Sequence, residues 1–375
     1  MGACHPDAAP PYPPLLFRDE DVGRLSPQYP TWDLQFTVPA GMVAVSSGTL
    51  QKQMELPDGR GFFRYALDVQ TNASGIGFAV GPFTVFPDEK SQGTTHFCLP
   101  AMDANLRHTV RVYPYVEEFF EGLLKSTIPY NSHQLVFVDE CVEPLLTYAG
   151  LTILSASILS SERIIDHTFD VTRKTIARAR AMQYFSHAIA PKSRLETWII
   201  FGIVGYLTGL FLEYTFGMNE YRSYVQKELL WVMEHDHNRR EPLSSDRHTH
   251  AIEHCSEFVQ RKAFIIMRMM EKLVTKESLL EIFLKIIEGG GGGQAEEDDG
   301  ATEVILVCAE TFRALLEDAA PKKAVKQFYE SWVERSGYAH IRVKFSWAEK
   351  TNEVKLVITQ PDCKARTACT PNLHP

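Results

Sequence analysis

The 375-residue sequence lacks the cysteine pattern of a disulfide-stapled protein or a zinc ribbon. Its seven cysteines lie far apart and include no C-x-x-C pair, so neither a disulfide framework nor a paired-cysteine zinc site is expected. The first residues, MGACHPDAAPPYPP, have no basic stretch followed by an apolar one, which a secretory signal peptide requires. The sequence therefore predicts a reducing compartment, the cytosol or the nucleus.

Long apolar runs and an excess of positive charge are also missing. The longest uncharged apolar run, residues 197–212, is shorter than the roughly 18–20 residues that cross a bilayer. Because it carries glycines at 202, 205 and 209, it predicts a buried core helix that a neighbour approaches closely, and no membrane contact. The formal charge of −9 argues against a protein that mainly coats nucleic acid, although a local basic patch is compatible with it.

What is present is an ordinary globular composition, 45% apolar and 23% charged, with a length that allows two or three domains. Strand-like runs follow residue 31, and helical periodicity dominates from about residue 111. Five glycines and an acidic block, EGGGGGQAEEDDGATE, cannot bury enough apolar surface to form a core. The predicted segments are an irregular, proline-rich stretch (1–31), an antiparallel β region (32–98), a mostly helical region (99–287), a disordered loop (288–303), two further helices (304–336) and a β-rich segment with a tail (337–375).

A helical region that follows strands is typical of a metallopeptidase. The HExxH motif of such enzymes places two imidazoles and a general-base glutamate on one helix. This sequence contains no HExxH motif. Residues 175–211, TIARARAMQYFSHAIAPKSRLETWIIFGIVGYLTGLF, nevertheless resemble the core of the gluzincin aminopeptidases, whose pattern runs HELAHQWFG, then W-N, then WLNEGFASY. The matching positions are Gln183, Tyr184, Phe185, Trp198, Gly202 and Tyr206. The resemblance implies a multidomain α/β fold with a partial antiparallel β domain, a thermolysin-like and mostly helical peptidase domain, and the start of a β-sandwich.

The same resemblance implies that the zinc chemistry is absent. Arg178 and Met182 stand where the family has its two zinc histidines, Ala179 stands at the general base, and Phe201 at the third ligand. A guanidinium repels a dication, a thioether prefers soft metals, and a phenyl ring donates nothing. We therefore expect no enzyme activity, no metal and no cofactor at this site. Arg178 should be buried with a carboxylate or carbonyl partner, while Met182 and Phe201 should fill the former metal cavity.

Further segments resemble a non-catalytic branch of this superfamily that serves as a subunit of the general transcription factor TFIID. They include FTVPAGMVAVSSGTL (36–50), RIIDHTFDVTR (163–173) and VKQFYESWVERSG (325–337). This resemblance implies a nuclear scaffold that contributes to core-promoter recognition and RNA polymerase II preinitiation complex assembly. The implied partners are other TBP-associated factors and promoter DNA. Members of that branch extend beyond both ends of this sequence, so a fragment without partners stays an open alternative.

The motif HAIEH at residues 250–254 keeps an enzymatic alternative open. It matches the inverted zinc signature H-x-x-E-H, and on a helix His250 and His254 would share one face. The alternative function is an active zinc aminopeptidase that uses this site. Pro242 and the polar run 244–250 favour a solvated loop instead.

Basic residues cluster between positions 173 and 194, and no acidic residue occurs between 171 and 195. The candidate patch for DNA or a partner consists of Arg173, Lys174, Lys192 and Arg194. Such a run contacts phosphates in some proteins, while a solvated helix face is the simpler explanation.

Overall fold

The computed structural model describes residues 29–139, 141, 143–164, 171–236, 242–244, 257–289, 304–337, 339, 341–348 and 353–360. Several predictions fall outside these residues: the irregular N-terminus up to residue 28, most of the predicted loop (290–303), the HAIEH motif and the tail after residue 360.

The chain begins with two small antiparallel sheets. Their strands are β1 (Trp32–Val38), β2 (Val43–Ser46), β3 (Thr49–Glu55), β4 (Gly61–Leu67) and β5 (Phe78–Gly81). One sheet has the order β1-β4-β3 and the other pairs β2 with β5. Alternation in β4 buries Phe63 and Tyr65 and turns Arg64 outward, where its guanidinium pairs with Asp33 of β1. All strand pairs of these two sheets are antiparallel.

A five-stranded mixed sheet follows. Its strands are β6 (Thr84–Pro87), β7 (Thr94–Cys98), β8 (His133–Val138), β9 (Leu145–Tyr148) and β10 (Leu151–Ser155), in the order β6-β7-β8-β10-β9. The inner pairs are parallel and the two outer pairs are antiparallel. The predicted boundary between residues 98 and 99 falls inside this sheet, because β6 and β7 pair with the strands that follow it.

Helices form most of the remaining described chain. They are α1 (Asp103–Val110), α2 (Tyr113–Leu124), α3 (Arg173–Phe185), α4 (Thr197–Phe216), α5 (Met218–Asp236), α6 (Glu257–Val274), α7 (Lys276–Ile287), α8 (Ala309–Ala319) and α9 (Lys322–Phe328). The first of the two helices predicted within residues 304–336 begins only at Ala309. Ile305–Val307 instead forms a strand, β12, that pairs in parallel with β11 (Ile189–Pro191).

Helix α4 lies at the centre of the largest core. All its residues from Thr197 to Leu212 are buried. By length and composition alone this helix is apolar enough to cross a membrane, and 78% of its most apolar window is buried inside the fold. It packs against α6, and Cβ atoms at Gly202 and Gly205 would lie only 2.9 Å from side chains of that helix. The predicted core helix with a close neighbour is therefore confirmed.

The last described element is an antiparallel hairpin of β13 (Arg342–Ala348) and β14 (Glu353–Thr359). Cross-strand pairs place six apolar side chains on one face: Val343, Phe345, Trp347, Val354, Leu356 and Ile358. These side chains are exposed, Phe345 by 79%. An apolar face of this kind is typical of strands that pack in a sheet-on-sheet module.

Two buried histidines make the fold sensitive to acid. Burial lowers the pKa of His187 to about 4. Burial and the nearby charge of Arg180 hold the pKa of His133 well below its usual value. An unfolded chain binds these protons with a pKa near 6.5. As the pH falls below that value, the unfolded state takes up protons that the folded state does not bind, so stability decreases.

We expect His187 alone to lower the free energy of unfolding by about 2 kcal/mol between pH 7 and pH 5. Urea unfolding followed by circular dichroism across this range measures the loss. His187→Gln should make the pH dependence shallower, whatever it does to stability at pH 7. Hydrogen bonds with His96 and backbone amides hold the pKa of Asp88 below its usual value. Carboxylates of this kind change the stability only at lower pH. A flat stability between pH 7 and pH 5 would contradict the prediction.

Candidate functional site

A cleft of about 530 Å³ opens between helices α3, α4, α5 and α6 and the segment that contains β9. Each helix contributes side chains that are three or four residues apart, a spacing that places them on one helix face. The lining side chains used below are Lys174, Arg178 and Met182 of α3, Phe201 of α4, Tyr224 and Glu228 of α5, and Glu257, Gln260, Arg261 and Phe264 of α6. The opposite wall includes Glu143, Leu145 and Thr147.

Three of the predicted zinc-ligand positions, Arg178, Met182 and Phe201, come together in this cleft. Met182 and Phe201 are buried, and the Thr147 hydroxyl donates a hydrogen bond to the Met182 sulfur at 3.8 Å. Ala179 is buried but does not line the cleft. The expectation that these side chains would fill the cavity is only partly met, since the cleft stays open beside them.

Arg178 has the carbonyl partner that was expected, but it is half-buried rather than buried. One of its terminal nitrogens donates to the side-chain oxygen of Gln260 at 2.5 Å. Desolvation by burial lowers the pKa of Arg178. A guanidinium nevertheless stays charged at neutral pH, because its usual pKa exceeds 12. The cleft therefore contains a cation held by a neutral amide.

Four other charged side chains of the cleft form a connected network of ion pairs. The Glu228 carboxylate accepts hydrogen bonds from Lys174 at 3.1 Å and from Arg261 at 2.6 Å. Arg261 also donates to Glu257 at 2.6 Å. The Lys174 ammonium lies 4.4 Å from the ring centre of Tyr224. Burial lowers the pKa of Lys174, and Glu228 opposes this effect.

The cleft residues of α5 and α6 were not predicted. The pairs Tyr224/Glu228 and Glu257/Arg261 each have the i, i+4 spacing of one helix face. That spacing shows that the two members of a pair are neighbours. It does not show that the two pairs face each other or meet α3, because helix packing brings them together.

A metal-ligand cluster is absent from the part of the chain that the structure describes. No group of three or more His, Cys, Asp or Glu side chains there could hold a metal ion. The HAIEH motif, which carries the zinc alternative, lies outside the described residues.

The four residues of the predicted basic patch lie on different elements: Arg173 and Lys174 begin α3, whereas Lys192 and Arg194 follow β11. The Arg173 guanidinium lies over the ring of Phe216, and Lys174 is paired with Glu228. Lys192 is exposed.

Known proteins resemble most of this chain. No family model matches it. It is 32% identical to transcription initiation factor TFIID subunit 2 of Gallus gallus and 30% identical to that of Drosophila melanogaster, each over 88% of the chain. The Schizosaccharomyces pombe protein of the same name is 26% identical over 76% of the chain.

The solved structure of Legionella pneumophila aminopeptidase A, in complex with aspartic acid, has a TM-score of 0.68 over 88% of this chain and 38% of that one, at 16% identity. This likeness confirms an aminopeptidase-like fold. The chain spans only about 30% of the length of the Gallus and Drosophila relatives. Over most of its own length, the chain is a homologue of a part of TFIID subunit 2.

Proposed function

We propose that the chain acts as a non-catalytic structural part of the general transcription factor TFIID. The observation that carries the proposal is the cleft, where Arg178, Met182 and Phe201 lie at the positions that the aminopeptidase pattern assigns to zinc ligands. The similarity to TFIID subunit 2 over 88% of the chain supports it independently.

The cleft offers poor chemistry for hydrolysis. Zinc hydrolases need ligands that leave an open position for an activated water, and a guanidinium, a thioether and a phenyl ring supply none. Among the described residues that line the cleft, none is a histidine or a cysteine. Glu228 and Glu257 already accept hydrogen bonds from Lys174 and Arg261, so neither is a free general base.

The proposed mechanism is the display of protein surfaces by a rigid body. A buried core that extends around α4 suits this role, because packed interiors deform little. The proposed setting is the nucleus, with other TBP-associated factors as partners and a contribution to core-promoter recognition and preinitiation complex assembly. For direct DNA contact, the exposed Lys192 suits a phosphate better than Lys174, which Glu228 neutralises.

Affinity purification of the tagged 375-residue chain from nuclear extract tests the proposal. We expect TBP-associated factors in the eluate, and their retention after nuclease treatment would show protein contacts rather than tethering through DNA. Recovery of no TFIID component would contradict the assembly role.

Metal analysis and an aminoacyl fluorogenic substrate test the non-catalytic part. We expect substoichiometric zinc and no hydrolysis above the rate of a heat-denatured sample. Stoichiometric zinc with turnover that His250→Ala abolishes would establish the HAIEH site and overturn the proposal.

A further inference from the structure

Arg178 has unused hydrogen-bonding capacity inside the cleft. A guanidinium carries five N–H donors, and within the described residues Arg178 makes one hydrogen bond, to Gln260. No carboxylate of the described chain forms an ion pair with Arg178: Glu228 pairs with Lys174 and Arg261, and Glu257 pairs with Arg261. Arg178 is half-buried, and Glu228 and Glu257 act on it only through longer-range attraction, so most of its N–H donors are left for a ligand.

A second donor lies beside it. Tyr224 lines the same cleft, and its hydroxyl has no hydrogen-bond partner in the part of the chain that is described. Burial raises the pKa of Tyr224. Its ring centre lies 4.4 Å from the ammonium of Lys174, which is one helical turn before Arg178 on the same face of α3. The phenol stays protonated at neutral pH and is able to donate.

We propose that the cleft binds a carboxylate, with the Arg178 guanidinium and the Tyr224 hydroxyl as its donors. Arginine holds a carboxylate through two parallel N–H···O bonds, and a phenol adds a third donor. The proposal does not depend on the role in transcription, since it rests on the geometry of the cleft alone.

The charge of the lining favours a carboxylate over a phosphate. The cleft contains three cations, Lys174, Arg178 and Arg261, and three carboxylates, Glu143, Glu228 and Glu257. These charges sum to zero, so a phosphate group would bring nearly twice the negative charge of a carboxylate toward the same three carboxylates. A nucleic acid is therefore the poorer ligand.

Apolar side chains complete the site. Leu145, Met182, Phe201 and Phe264 line the cleft together with the charged groups. Binding pockets typically combine such apolar walls with a few convergent polar groups. The site therefore suits a carboxylate attached to an apolar group, such as the free C-terminus of a peptide that ends in leucine.

Ligand-observed NMR titration of the whole chain tests the proposal with three peptides. The probes are acetyl-Ala-Ala-Leu with a free C-terminus, the same peptide as its C-terminal amide, and acetyl-Ala-Asp-Leu amide. We expect a carboxylate-bearing probe to bind roughly tenfold or more tightly than the uncharged amide. Tight binding of the first probe assigns the carboxylate to a chain terminus, and tight binding of the third assigns it to an acidic side chain.

Arg178→Gln should weaken that binding by roughly tenfold or more, and Tyr224→Phe should weaken it by a smaller factor without removing a charge. The matched control is Arg222→Gln, which removes the same charge from the exposed surface of α5 and should leave binding unchanged. Circular dichroism shows whether each variant is folded. Three results would overturn the proposal: equal binding of acid and amide, no binding of either acidic probe, or tighter binding of inorganic phosphate.

Discussion

Replacement of Lys262 by methionine should lower the free energy of unfolding by about 3–5 kcal/mol. The Lys262 ammonium lies 2.9 Å from the Asp236 carboxylate, and their side chains are only 5% and 0% exposed. It also lies 3.5 Å from the carbonyl oxygen of Gly337. Lys262 therefore ties α6 to the end of α5 and to the segment before the terminal hairpin. Methionine would fill the space but leave a buried carboxylate without its counter-charge.

Lys272→Met is the matched control, because it makes the same change on the same helix. Lys272 lies 2.6 Å from Glu271, but its side chain is 69% exposed, so its loss should cost less than about 1 kcal/mol. Urea unfolding followed by far-UV circular dichroism compares the two. The double variant Lys262→Met/Asp236→Leu should recover most of the stability, since it removes both charges. Equal effects of Lys262→Met and Lys272→Met would refute the argument.

The helical core could be predicted from the sequence because its signal is local. Residues 197–212 form an uncharged apolar run with glycines at helical spacing, and the structure buries that whole stretch in α4. The predicted helical region (99–287) likewise ends at the residue where the amphipathic helix α7 ends, Ile287. Periodicity along one segment is sufficient for such elements.

Strands were harder to predict because pairing depends on distant partners. The sequence TLQKQME of β3 is almost wholly exposed, so it lacks the alternation that identifies a half-buried strand. Within the predicted β region, the consecutive strands β5, which ends at Gly81, and β6 belong to different sheets. Strand β12 pairs with β11 more than a hundred residues away. The residues near β12 in the sequence indicate neither its partner strand nor its strand conformation.

Only part of the candidate site could be predicted, because the rest of it also depends on contacts between distant parts of the chain. The family pattern located Arg178, Met182 and Phe201, which the structure brings to one cleft. The pattern could not supply the Glu228 and Gln260 partners of α5 and α6, since these depend on how the helices pack. It also could not show that the cleft remains open. The volume left beside Met182 and Phe201 is a property of the whole helix assembly.

Gly205→Val should lower the free energy of unfolding by about 3 kcal/mol, because α4 and α6 approach each other closely at this position. A Cβ at position 205 would lie 2.9 Å from the Cβ of Phe264, and that atom can move only with the backbone of α6. Val would therefore push the two helices apart. Because Gly205 and Phe264 both line the cleft, the same change should also widen the carboxylate site and weaken its binding.

Gly122→Val is the matched control for Gly205→Val. Gly122 lies within α2, it is exposed, and a Cβ there would meet no atom within 4 Å. Only helix propensity changes at this position, so its effect should stay within about 0.5 kcal/mol. Urea unfolding measured side by side compares the two variants. Equal stabilities would mean that α6 yields to the added side chain, and the width of the cleft would then not depend on a glycine at position 205.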